Sequence, residues 1–132
     1  MGVERYVLSA GLAGVLGQRL GRRLCLFCRE PYRPSQDVID SLYPDGGAGD
    51  DMVFFRAIGC SYCNSGYRGR VGVFQLLTID DQLRGLIASG ASHESLAVAA
   101  ADAGMRSLRS DALAKVESGI ISLEELHRVV PI

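Results

Sequence analysis

The chain has a single lysine, Lys115 in Leu113-Ala114-Lys115-Val116, and therefore no Gly-Lys-Ser/Thr phosphate loop. A Walker-type nucleotide site built from this segment alone is excluded. Histidines are almost as scarce: His93 and His127 are the only two, and both fall at helical positions away from any nucleophile or carboxylate pair, so no acid–base centre is indicated. The neighbouring acids Asp50-Asp51, Asp80-Asp81 and Glu124-Glu125 point apart or serve helix starts, and read as solvated caps. No apolar run is long enough to span a bilayer, because the one near the start, Val7 to Leu20, is short and carries Gln18 and Arg19 at its end. A secretory leader is disfavoured by Glu4, by the glycines within the apolar stretch and by the lack of an A-x-A site. Neither sign of charge dominates. Fifteen acids against fourteen bases leave a net charge of −1, which argues against a surface committed to nucleic acid or anionic membrane.

The residues present are more informative. Four cysteines stand in two matched pairs, Cys25-Leu26-Phe27-Cys28 and Cys60-Ser61-Tyr62-Cys63, with none left over. Each C-x-x-C loop can deliver two sulfurs from one short turn, and four soft thiolates complete a tetrahedral shell around zinc. Redox pairs and an iron–sulfur centre are the competing readings. The redox reading lacks its usual βαβ setting, and structural zinc is favoured. Thirty-one residues separate Cys28 from Cys60, more than the familiar zinc-ribbon spacing, so another element must fit between the knuckles. A closed four-cysteine site stabilises and does not catalyse. Paired knuckles also suit a reducing, cytosolic compartment. Six arginines against two glutamates in residues 1–35 place positive charge around the first knuckle; offsetting the thiolate charge and contacting nucleic acid are the two readings. The first is preferred because the segment lacks interleaved aromatics for stacking.

Periodicity predicts an α+β chain of three parts. Residues 1–24 read as a helix with a bare stripe formed by Gly11, Gly14, Gly17 and Gly21, which implies close approach by another element. Residues 25–77 read as a metal-binding subdomain with a short antiparallel hairpin. Within it, Ser35 caps a helix through Leu42, the loop 45–51 is exposed and mobile, and strands cover Met52–Ala57 and Arg70–Leu77. Residues 78–132 read as a four-helix segment. Its first helix carries Leu83, Leu86 and Ile87 and stops at Gly90; the second carries Leu96, Ala99, Ala100 and Ala103 and ends at Gly104; the third carries Leu108, Ala112 and Val116 and is closed by Gly119. The last starts at the capping box Ser122-Leu123-Glu124-Glu125 and buries Leu123, Leu126 and Val130.

Beyond the cysteines, several stretches carry a family likeness: Met1-Gly2-Val3-Glu4 with Leu12 through Leu20, Tyr67-Arg68-Gly69-Arg70-Val71-Gly72-Val73-Phe74, Gly104-Met105-Arg106-Ser107-Leu108-Arg109, and Gly119 through Val130. With the knuckles and their long gap, they make the chain similar to the C-terminal portion of the type II secretion and type IV pilus assembly ATPases, the GspE/PilB group. Arg5 stands where that family usually has proline, and Gln75 where it usually has glutamate. The resemblance implies a fragment of a longer motor whose phosphate loop, acidic boxes and histidine box lie upstream. That parent would be a hexamer hydrolysing ATP with Mg2+ at subunit boundaries, peripheral to the cytoplasmic face of the inner membrane and working on a secretion or pilus platform. Residues 1–24 would then be the helix leaving the ATPase core. The same resemblance nominates Arg70 to reach a neighbouring subunit's nucleotide, with Arg68 and Arg19 as further candidates, since guanidinium offers a charged fork to phosphate oxygens. Compensation of zinc–thiolate charge is the alternative role for Arg70. The alternative for the whole chain is an independent zinc-ribbon module binding protein or nucleic acid.

Overall fold

A computed structural model describes residues 2–46, 49 and 52–131. Among them are six helices and four strands in the order α1 (Arg5–Gly11), β1 (Gly14–Leu24), β2 (Glu30–Tyr32), α2 (Gln36–Leu42), β3 (Phe54–Arg56), β4 (Tyr67–Thr78), α3 (Asp81–Ser89), α4 (His93–Asp102), α5 (Leu108–Glu117) and α6 (Leu123–Val129). The mixed helix-and-sheet class is as expected. Of the loop 45–51, residues 47, 48, 50 and 51 lie outside the described residues, and the Asp50-Asp51 pair with them.

The chain divides into two compact units, one of Met1–Gln18 with Phe74–Leu108 and one of Arg19–Val73 with Arg109–Ile132. In the first, α1 packs on α3 and α3 on α4. Ile79, Leu83 and Ala99 form its core, with Leu12, Leu77, Leu86, Ile87 and Leu96 packed against them. The helices begin and end where local chemistry says they should. Asp80 accepts the Leu83 N–H at 2.8 Å, and Ser92 accepts that of Ser95 at 3.2 Å. Gly90 takes the left-handed conformation (φ 72) that closes α3, and the Ala91 N–H returns to the Leu86 carbonyl at 3.0 Å.

In the second unit β2 and β3 pair antiparallel, Glu30 opposite Arg56 and Tyr32 opposite Phe54. Both short strands flank the helix α2 that fills the long gap between the knuckles. Phe54, Val73, Val116, Ile121 and Leu126 are among the side chains wholly buried here.

The first segment departs from expectation. Only Arg5–Gly11 is helical; Leu12 turns to extended backbone (φ −81, ψ 120), and Gly14–Leu24 is strand β1. It pairs with β4. The pairing is antiparallel, with the Ile79 N–H donating to the Ala13 carbonyl at one end and the Cys25 N–H to the Gly66 carbonyl at the other. Glycines spaced three or four apart imitate a helical stripe, yet each costs about 0.5–1 kcal/mol in a helix interior, and a long ladder outweighs so weak a local preference. Close approach does occur at Gly21, where an added Cβ would touch Glu125, Ile121 and Val129 of α6 and the turn before it at 3.7–3.8 Å.

The last helix is also rotated from its expected phase. Leu126 and Val129 are buried, whereas Leu123 and Val130 are only half-buried. Glu125, expected in solvent, is wholly buried.

Candidate metal centre

Cys25 ends the tight run out of β1, and Cys28 follows on the next turn, its N–H donating to the Cys25 carbonyl at 3.3 Å. The second pair repeats the device, with the Cys63 N–H donating to the Cys60 carbonyl at 3.3 Å. Two short turns therefore present two sulfurs each. The loops are brought together by the Cys25 N–H donating to Gly66 at 2.8 Å and by the Gly59 N–H donating to Cys28 Sγ at 3.3 Å. Gly66 is needed as glycine. Its φ is +87, and a Cβ there would lie 2.8 Å from the Ile58 backbone nitrogen and 2.6 Å from the Ala57 side chain.

All four Sγ atoms lie within 4.8 Å of one another. Cys25 and Cys60 are 3.9 Å apart, Cys28 and Cys63 3.7 Å, and Cys60 and Cys63 3.6 Å. A tetrahedron of sulfurs about 2.3 Å from a zinc ion has edges of about 3.8 Å, so both the spacing and the donor set fit a metal ion. Among the described residues no other group of three or more His, Cys, Asp or Glu side chains converges in this way.

The surroundings treat the thiols unequally. Burial pushes Cys28 up to about 12 against the pull of the Gly59 N–H. Burial also raises Cys63, but the N–H groups of Cys60 and Gly66 outweigh it and bring this thiol down to about 7. Backbone N–H groups aimed at sulfur favour the thiolate form, which is the form that binds metal.

A network missed in the sequence lies beside the second knuckle. Glu125 Oε1 accepts the Arg22 backbone N–H at 2.6 Å, while Oε2 accepts from Arg22 Nε at 2.9 Å and Nη2 at 2.7 Å. Arg128 donates to Oε1 through Nε at 3.0 Å and also through Nη2. The Arg22 guanidinium lies 4.2 Å above the Tyr67 ring, and the Tyr67 hydroxyl pairs with that of Ser122 at 2.8 Å. Tyr67 follows Cys63 by four residues, so this network braces the exit of the knuckle. The signal available was the capping box: Ser122 does accept the Glu125 N–H, at 3.2 Å, but the Glu125 side chain turns to Arg22 and not back to the cap.

The nominated arginines do not meet at the metal loops as a group. Arg19 lies on β1 and Arg68 and Arg70 on β4; all three are exposed, and none of their side chains has a hydrogen-bond or ion-pair partner among the described residues. Arg70 shares an open cavity of about 390 Å³ with Arg22, Asn64, Ser65, Tyr67 and Gly69. His93 and His127 are exposed on α4 and α6. No helix among the described residues is long and apolar enough to cross a membrane.

Residues 1–128 match the family model described as type II/IV secretion system protein. The chain is 43% identical over 130 residues to the type II secretion system ATPase E of Vibrio cholerae serotype O1, an alignment covering 98% of this chain and 25% of that protein. It is 42% identical over 130 residues to the type II secretion system protein HxcR of Pseudomonas aeruginosa, covering 98% and 24%. To the type IV pilus assembly ATPase PilB of Thermus thermophilus it is 37% identical over 127 residues, covering 96% and 14%. The chain thus spans a quarter or less of the length of these relatives.

Proposed function

The chain belongs to the type II/IV secretion system protein family, and we propose that it is the metal-stapled, non-hydrolysing part of a secretion or pilus assembly ATPase. Its working partners are then an ATPase core and the neighbouring subunits of a hexamer, held peripherally at the cytoplasmic face of the inner membrane. The observation that carries this reading is the convergence of Cys25, Cys28, Cys60 and Cys63 within 4.8 Å in a chain of that family. These four would hold a zinc ion, which supplies a structural cross-link between two loops distant in sequence. No Gly-Lys-Ser/Thr motif is present, so ATP and Mg2+ belong to the core.

The staple has a mechanical use in this reading. β4 begins at Tyr67, immediately after the second knuckle, and carries Arg68-Gly69-Arg70 in its first residues. Anchoring Cys60 and Cys63 therefore fixes the strand that presents Arg70. Its guanidinium, exposed and without a partner among the described residues, is free to pair with the phosphates bound by an adjoining subunit. Such a contact acts in trans and strengthens as charge develops on the transferred phosphoryl group.

Two measurements test the proposal. The purified chain should carry about one zinc ion and hydrolyse no ATP. In the full-length ATPase, Arg70→Ala should lower kcat by about 100-fold with zinc content unchanged, and Arg68→Ala and Arg19→Ala should cost less. Full activity in the Arg70→Ala enzyme removes the trans contact, and ATP hydrolysis by the chain alone removes the division of labour.

A further inference from the structure

The two metal-binding turns end in large apolar side chains that point outward. Phe27 at the tip of the first and Tyr62 at the tip of the second pack on each other with ring centroids 5.4 Å apart and planes tilted by 39°. They remain 73% and 67% exposed, and Leu26 beside them is 67% exposed. Single exposed apolar residues are ordinary, but three on adjoining loops form a contiguous patch, the usual mark of a contact surface. Next to it Leu26 and Phe27 line an open groove of about 400 Å³ together with Arg23 and Arg68.

The charge carried by the two loops and the strand ends beside them is of one sign. Residues 22–29 and 57–70 contain five arginines and no aspartate or glutamate. The side chains of Arg22 and Arg29 are already engaged, by Glu125 and by the Gly119 carbonyl. The side chains of Arg23 and Arg68, in the groove, are exposed and have no hydrogen-bond or ion-pair partner among the described residues. We infer that the paired knuckle tips are a docking surface for a partner protein segment in which apolar side chains are flanked by carboxylates. Its apolar side chains cover Phe27, Tyr62 and Leu26, and its acids pair with Arg23 and Arg68.

Two other occupants fit less well. A second copy docked tip to tip would set arginine against arginine, which costs free energy at close range. Single-stranded nucleic acid prefers aromatic faces open for stacking along a basic track, whereas Phe27 and Tyr62 are tilted onto each other and the chain carries a net charge of −1.

The test is selection from a random displayed-peptide library on the immobilised chain, followed by fluorescence anisotropy with the enriched peptides. Enrichment of sequences mixing Phe, Leu or Ile with Asp or Glu is expected. Affinity should fall about 10-fold in Phe27→Ser and in Tyr62→Ser, the scale of loss at an aromatic anchor. The double variant Arg23→Glu, Arg68→Glu should lose a comparable factor and should lose its salt dependence. All four substituted positions are exposed, and unchanged metal content with an unchanged melting curve checks that the fold is kept. The proposal is overturned by no enrichment, by enriched peptides lacking acids, by equal binding to the variants, or by competition from a dT20 oligonucleotide at equal concentration.

Discussion

Cys25→Ser should abolish stoichiometric metal binding and unfold the metal loops, and a strong chelator should do the same to the unaltered chain. Cys25 is the most buried of the four cysteines, at 1% exposure, and its sulfur lies 3.9 Å from that of Cys60 in the opposite knuckle. Serine offers a harder, weakly acidic oxygen in place of a soft thiolate, so a tetrahedral zinc shell loses a ligand that water replaces poorly. Structural zinc contributes about 10–16 kcal/mol of apparent binding free energy at neutral pH, as large as the whole stability of a small domain.

The effect should be uneven along the chain. Amide hydrogen exchange at residues 25–29 and 59–67 should rise by several orders of magnitude, because those backbone groups are ordered mainly around the sulfurs. Residues of α3 and α4 should keep protection, since Ile79, Leu83 and Ala99 give that unit its own core. An unchanged melting transition after chelation, with free thiols reactive, would remove the metal from the account of stability.

The site was legible because its information is local. Two C-x-x-C turns announce paired sulfurs without reference to the rest of the fold, α3 and α6 announce themselves through the caps Asp80 and Ser122 and the stop at Gly90, and α4 and α5 through their apolar stripes. What escaped is specified at a distance. β1 owes its extended backbone to pairing with β4, more than forty residues further along, and nothing between Gly14 and Gly21 announces that partner. A glycine every third or fourth residue even mimics a helical face, and only the ladder decides against it. Glu125 escaped for the same reason: at the third position of a helix it reads as a solvated cap, and the donor that buries it, Arg22, lies 103 residues away. The nomination of Arg70 rests on the family resemblance alone, since an exposed arginine has no local signature in the sequence.

Glu125 yields the second large effect. Burial alone would raise its carboxyl, but the side chains of Arg128 and Arg22 and the Arg22 backbone N–H hold it down to about 2, against an ordinary 4.5. A depressed carboxylate stabilises the fold fully above its unfolded value, so this contribution is present above about pH 4.5 and is lost as pH falls towards 2. At 1.36 kcal/mol per unit the shift corresponds to about 3 kcal/mol. Both arginines are about half exposed, at 49% and 52%, and solvent screening brings the figure nearer 2 kcal/mol. Glu125→Gln keeps the shape and removes the charge, so it should cost about 2 kcal/mol in urea unfolding at pH 7 and less at pH 3, narrowing the gap from the parent chain. Glu125→Ala should cost about 3–4 kcal/mol at pH 7, because it also leaves the Arg22 N–H without its acceptor and opens a cavity under Gly21. If the difference between the parent and Glu125→Gln stays constant from pH 7 to pH 3, the carboxylate is not the source of the acid sensitivity. If it narrows as expected, Tyr67 should loosen with it, because Arg22 lies over its ring, and the start of β4 would keep only its pairing with β1 and its link to the knuckle.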